Sequence, residues 1–175
     1  FDNDGRLDVL IGSSDYPYTR VFLFHQKTDG TFEEVPVDLG IDHARGHGIG
    51  FADFDSDGDI DVAIGHSRMR CEGDDSCLPT QEVHMFRNDI GQDGNWLRVR
   101  LTGGEGSNRS AIGARVRVTA GGVTQTHEIG GGHGHVGIQH DLVQHFGLGA
   151  ACDIESIEIR WPNAAGPTEI YRDVL

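Results

Sequence analysis

Basic side chains are scarce in this chain. Fourteen Lys and Arg stand against 28 Asp and Glu among 175 residues, a formal net charge of −14. A surface of that sign repels nucleic acid, whose phosphates need Lys and Arg partners, and it repels anionic membranes. No apolar run reaches the length of about 18 residues that a membrane-spanning helix requires. Helical periodicity is weak everywhere. The short motifs of common catalytic classes are also missing: no Gly-x-Ser-x-Gly elbow, no phosphate-cradling loop, no His-Glu-x-x-His helix and no Cys-x-x-Cys-His site. Asp42-His43 and His140-Asp141 are adjacent pairs, and neighbours on a strand point to opposite faces. The sequence leans away from an enzyme without deciding the question.

What the chain does have is carboxylate, and it is concentrated. Residues 53–61 read Asp-Phe-Asp-Ser-Asp-Gly-Asp-Ile-Asp, and residues 2–8 repeat the same code as Asp-Asn-Asp-Gly-Arg-Leu-Asp. Oxygen donors at alternate positions around a glycine suit a hard cation, since calcium takes six to eight oxygens at about 2.3–2.6 Å. Asp53, Asp55 and Asp57 occupy positions one, three and five. Gly58 permits the reversal, Asp59 offers its backbone carbonyl, and Asp61 closes the shell. In the earlier loop Asp2 and Asp4 take positions three and five, Arg6 offers its carbonyl, and Asp8 closes. Its first position precedes Phe1, so further sequence is expected upstream. A helix-loop-helix calcium hand would need Glu at position twelve, where Ile64 stands. Ile60, Val62 and Ile64 alternate with Asp61, Ala63 and Gly65, so each loop should feed a strand.

The loops belong to a longer repeat. Asp8-Val-Leu-Ile-Gly recurs 53 residues later as Asp61-Val-Ala-Ile-Gly, and Val21-Phe-Leu-Phe as Val83-His-Met-Phe. A period near 50 with several short strands marks a β-propeller blade. The second unit is lengthened at residues 67–80, expected to be a surface excursion. Cys71 and Cys77 flank its polar tip, and a disulfide there would stabilise the loop by about 2 kcal/mol on the chain-entropy model. Such a bridge implies an oxidising compartment. Cys152 is then left over, with burial as a small apolar residue expected.

Beyond Asn95 the pattern is again strand-like. Leu97, Val99 and Leu101 alternate with Arg98 and Arg100; Val116 and Val118 with Arg115 and Arg117; Ile157, Ile159 and Trp161 with Glu158 and Arg160. Gly103-Gly104, Gly121-Gly122 and Pro162-Asn163 supply turns. This predicts a small β-sandwich or barrel.

The run Gly-Ile-Gly-Phe-Ala-Asp-Phe-Asp-Ser-Asp-Gly-Asp-Ile-Asp-Val-Ala-Ile-Gly at 48–65 resembles the FG-GAP/VCBS repeats of calcium-loaded propellers. The later segments Asn95-Trp-Leu-Arg-Val-Arg-Leu, Asn108-Arg-Ser-Ala-Ile-Gly-Ala-Arg-Val, His145-Phe-Gly-Leu-Gly and Ile157-Glu-Ile-Arg-Trp-Pro-Asn resemble the ASPIC/UnbV domain, which follows such repeats in secreted proteins. The resemblance implies an all-β chain: one or two final blades of a partial propeller over 1–94, then an ASPIC/UnbV β domain over 95–175. It implies calcium at the loop positions named above and an extracellular setting. The function expected is a scaffold or adhesion module that binds a protein or glycan, neighbouring copies, or the remaining blades. The alternative is part of a secreted calcium-dependent polysaccharide-active or metal-dependent enzyme.

Histidines crowd the segment from His127 to His145, which also holds His133, His135 and His140. On an extended strand His133 and His135 would share one face at about 6–7 Å, near enough to bind one transition metal. Asn108-Arg-Ser110 fits a glycosylation pattern but lies inside the domain motif, so a structural role is expected first.

Overall fold

The computed structural model describes residues 1–72, 77–134, 137–163 and 166–174 of the chain. Among them every regular element is a strand except one 3-10 turn at Gly91–Asp93. Strands β1 (Val9–Ile11), β2 (Phe22–Gln26) and β3 (Phe32–Glu34) form one antiparallel sheet in chain order. Strands β4 (Gly46–Ala52), β5 (Asp61–His66) and β6 (Val83–Phe86) form a second. The sequence repeat is a repeat of register. Val9 faces Phe24 across β1 and β2, and Val62 faces Phe86 across β5 and β6. The third strand differs: β3 lies on the far edge of β2, whereas β4 lies on the far edge of β5.

Alternation along β1 and β2 gives that sheet two apolar faces. Leu10 and Leu23 look into a cleft of about 600 Å³, which Phe51, Val62 and Phe86 of the second sheet also line. The opposite face carries Val9 and Ile11, paired with Phe24 and Phe22, whose rings stack at 6.4 Å. Val9 and Ile11 are 39% and 47% exposed. Val83 and Met85 of β6 are likewise open to solvent. Within the two sheets and their connections, burial of large apolar side chains centres on Val21 and Ile64.

The C-terminal part is better packed. Strands β8 (Arg115–Ala120), β9 (Val123–Glu128), β11 (Ile154–Arg160) and β12 (Thr168–Val174) form a sheet in the order β12-β11-β8-β9, while β7 (Asn95–Val99) pairs with β10 (Gln144–Gly149). Val116, Val118, Phe146 and Ile154 are buried between the two sheets, with Leu97, Val99 and Leu101 against them. The arrangement is therefore sheet on sheet, with no closed barrel among the described residues. A second cluster, Ala111, Ala114 and Ile129, is closed by Trp161 and Leu142. Asn108 serves this corner: its Nδ2 donates to Ile112 O and its Oδ1 accepts from Ile112 N. Both ends of its amide are used structurally.

The excursion between β5 and β6 is tied by a Cys71–Cys77 disulfide, with Cα atoms 5.7 Å apart. Cys152 differs from expectation. It is exposed rather than buried, placed just after β10 where Asn95 Nδ2 reaches its sulfur at 3.7 Å.

Candidate metal centre

The two acidic loops fold alike because the same side chains hold the same backbone groups. Asn3 and Ser56 both have positive φ (58° and 65°), as do Gly5 and Gly58 (86° and 100°). Asp4 Oδ1 accepts from Arg6 N at 2.8 Å, and Asp57 Oδ1 from Asp59 N at 3.0 Å. These are Asx turns, in which a short carboxylate satisfies an amide two residues on. The closing aspartates act as clamps. Asp8 accepts from Gln26 N and Phe1 N; Asp61 accepts from Asn88 N and Phe54 N, all at 2.6–2.9 Å. Each thereby ties its loop to the chain at or just past the end of the second strand that follows, β2 in the first repeat and β6 in the second.

In the second loop Asp53, Asp55 and Asp61 bring carboxylate oxygens within 4.8 Å of one another. Asp53 and Asp61 are buried and Asp55 is exposed. Asp53 Oδ2 accepts from Arg98 at 3.0 Å, while Asp53 Oδ1 is buried with no hydrogen-bond partner. Burial, then the Asp57 charge, pushes the Asp55 carboxyl above the ordinary range. Asp57 stands outside the group and accepts from Gln92 Nε2 at 3.2 Å. The Asp59 side chain turns away and is fully buried, its carboxyl pushed up to about 6 by burial and by Asp57. The role expected for Asp59 uses its carbonyl, so this orientation leaves that role open. The donor set fits a hard divalent ion: three clustered carboxylates, one carrying a buried oxygen that no protein group satisfies.

In the first loop Asp2 and Asp4 meet a third donor that the sequence pattern does not announce, His25 of β2. It occupies the place that Arg87 holds beside Asp55, 3.9 Å away, in the second repeat. The only sequence signal is its position four residues after Val21, matching Arg87 after Val83. Arg6 turns its side chain to Asp4 and to Gln26 O.

His133 stands between Gly132 and Gly134, both with positive φ. Gly137 also has positive φ, and His133 pairs with Ile138 in an isolated bridge. His135 lies outside the described residues. His133 stacks on His140 at 5.3 Å, and His140 in turn stacks on Phe51 at 4.6 Å and accepts from Phe51 N at 3.3 Å. Among the described residues His133 joins no group of three metal donors.

Both loops meet at Asn3. Its Nδ2 donates to Gly58 O at 2.9 Å, Asp59 Oδ1 at 3.0 Å and Gly91 O at 3.2 Å. Its Oδ1 pairs with His145 Nε2 at 2.7 Å, and its backbone O accepts from Gly149 N at 2.7 Å. Since an amide oxygen only accepts, His145 carries its proton on Nε2, an assignment made from the network. Nδ1 is then buried without a partner, and burial pushes the His145 pKa down to about 4. Trp96 completes the contact. A Cβ at Gly58 would lie 2.0 Å from its indole Nε1, so this glycine serves the turn and the close approach together.

Comparison with known proteins agrees with this architecture. Residues 1–64 match the FG-GAP-like repeat and residues 104–174 match the ASPIC and UnbV family. The chain thus carries an FG-GAP-like repeat segment followed by an ASPIC/UnbV segment. Among curated proteins it is similar to cartilage acidic protein 1 of Mus musculus, Homo sapiens and Xenopus tropicalis. Identity to each is 31% over 178 residues, covering 93% of this chain and 24% of the relative. The chain therefore spans about a quarter of the length of these relatives. No solved structure matches.

Two outcomes follow from the Asn3 contacts. Asn3→Ala strands three buried acceptors and the part-buried His145 Nε2 and forces alanine to a positive φ, so urea unfolding should show a loss of about 3–5 kcal/mol; a loss under about 1 kcal/mol would contradict the network. His145 adds a pH dependence. The unfolded side chain titrates near 6.5 and the folded one near 4, so between these values the unfolded chain holds the extra proton and stability falls as pH falls. Melting temperatures from pH 7 to 4.5 should therefore drop less steeply in His145→Gln, which keeps a donor but does not titrate. Equal slopes would refute the assignment.

Proposed function

We propose that this chain is part of a calcium-stabilised extracellular scaffold or adhesion module, with a binding or assembly role. One observation carries the reading: the buried, unpartnered Asp53 Oδ1 beside the Asp55 and Asp61 carboxylates. Burying a carboxylate oxygen without a partner is costly, and a bound cation removes that cost. Calcium would supply positive charge at the centre of the loop. Asp53, Asp55 and Asp61 would hold it, and Asp61 would keep the loop joined to the Asn88 amide. The FG-GAP-like match, the similarity to cartilage acidic protein 1 and the Cys71–Cys77 bridge support an extracellular setting, where disulfides persist and weak calcium sites fill.

The uncovered face of the first sheet supports an assembly role. Val62, Ile64 and Phe86 are the repeat equivalents of Val9, Ile11 and Phe24. Val62 and Phe86 look across the cleft toward Leu10 and Leu23. Repeating that step places another blade on Val9 and Ile11, from the same polypeptide or from a neighbouring copy.

Two measurements test these readings. Millimolar calcium should raise the melting temperature over that in excess chelator, by an increment equivalent to about 2.7 kcal/mol at a hundredfold excess over Kd. Asp55→Ala, at an exposed position, should lose most of that response; equal melting curves with and without calcium would sink the proposal. Sedimentation of this chain alone should show concentration-dependent association that Val9→Lys with Ile11→Lys reduces. A monomer at every concentration would argue against the uncovered face as a contact.

A further inference from the structure

The excursion between β5 and β6 returns past a buried histidine. His66, the last residue of β5, is 5% exposed. Its Nδ1 lies 3.1 Å from Ala44 O, and its Nε2 accepts from Leu78 N at 3.1 Å. A carbonyl oxygen only accepts and an amide N–H only donates. Both bonds therefore require the same tautomer, with the proton on Nδ1 and a bare Nε2, an assignment made from the network. One ring thus joins three segments. Ala44 is bridged to Arg20 of the first repeat, and Leu78 follows Cys77 of the disulfide on the return limb. The outgoing limb holds the first repeat as well. Arg45 donates to Ser67 O and Met69 O and also to Asp15 O, while Arg70 pairs with the Asp15 carboxylate and lies over the Tyr16 ring.

We propose that His66 is a proton-sensitive latch: protonated at Nε2, it releases the Leu78 amide and loosens the return limb of the excursion. An imidazolium donates at both nitrogens, so a proton on Nε2 sets a donor against a donor. The surroundings offer that charge no partner, since no carboxylate pairs with His66 among the described residues. The charged and titratable groups around it are mixed in sign. The segment before β4 brings Asp42, His43 and Arg45. The excursion brings Arg68, whose Nη1 donates to Leu78 O at 2.7 Å. Glu82 and His84 come from the β6 side, and Glu82 is engaged by Thr80 Oγ1 and by His84 Nε2 at 3.0 Å. His43 lies edge-on to both His66 and His84, at 5.9 and 4.9 Å, and its buried Nε2 has no partner. Burial, then the His84 charge, holds the His43 pKa below the ordinary histidine value. The histidine beside His66 therefore does not take the proton in its place. The Cys71–Cys77 bridge keeps the two limbs joined when the latch opens, so the opening is local and reversible. It does not depend on an ion at the acidic loops.

Hydrogen exchange of the whole chain, read at the Leu78 amide, tests the latch. A free histidine titrates near about 6.5, and if only the opened form takes the proton, the open fraction rises about tenfold between pH 7.5 and 5.5. The protection of Leu78, corrected for the intrinsic exchange rate, should fall by the same factor. The Ile129 amide, which donates to Ala114 O at 2.9 Å, should hold its protection. His66→Gln, whose side-chain oxygen can accept from Leu78 N without titrating, should abolish the pH dependence at Leu78, and His84→Gln should leave it in place. Constant protection at Leu78, an equal fall at Ile129, a dependence that survives His66→Gln or one that His84→Gln removes would each overturn the proposal. Nitrogen-15 shifts of the wild-type ring at neutral pH give a check that needs no variant. A proton on Nδ1 and a bare Nε2 are expected, and a proton on Nε2 would refute the latch.

Discussion

The structure is organised around one primary amide. Asn3 lies at the third residue, yet it is buried and touches the second loop, the 3-10 turn and β10. Its two N–H protons are shared among three acceptors and its oxygen accepts one bond, so both ends of the amide are fully used. The geometry demands small neighbours. A Cβ at Gly147 would sit 2.6 Å from Asn3 Cα, and one at Gly91 would sit 2.5 Å from Asp59 Oδ1. The first loop therefore reaches the C-terminal sheets through gaps left by glycine. Asn also tolerates the left-handed backbone that the loop imposes at this position. Its equivalent in the second loop, Ser56, holds the same dihedral but is exposed. Equal loops thus have unequal duties: one is pinned to the neighbouring domain, the other is covered by it through Trp96.

That coupling explains why carboxylates can be packed so closely. Each aspartate at the first, third or fifth position has a backbone amide, a cation or both beside it. Arg98 from β7 reaches Asp53, and its other nitrogen stands 3.9 Å from Asp141. Asp53 thus belongs both to the carboxylate group of the second loop and to the contact with the C-terminal sheets.

Much of this was legible in the chain. The strand assignments after each loop, the register of the repeat and the alternation at Val116, Val118, Ile157 and Ile159 follow from period-two patterning, because a half-buried strand has no other way to hide its apolar side. Spacing brought out the carboxylates of Asp53, Asp55 and Asp61, which the structure gathers, but it gave Asp57 the same standing, and Asp57 is turned to its own Asx contact and to Gln92. Contacts between segments distant in sequence were not readable. Nothing local distinguishes Asn3 from a solvent-facing loop asparagine, and nothing marks His25 as a loop partner until β2 is laid beside the loop. The histidine-rich segment illustrates the same limit: whether two histidines one residue apart share a face depends on the backbone between them, and Gly132 and Gly134 on either side of His133 have positive φ.

Divergence between the repeats is informative because the backbone has been held constant. Asp8 and Asp61 make the same pair of clamps, and Gly5 and Gly58 the same reversal. The demands of the frame are therefore met in both loops by the same residue types. Asn3 against Ser56, and His25 against Arg87, are changes that the frame itself does not require. The first pair alters which loop is bolted to the C-terminal sheets. The second alters the group facing the carboxylates, from a guanidinium beside Asp55 to an imidazole beside Asp2 and Asp4. The shared hydrogen bonds keep the loop frame the same while the side chains that face it differ.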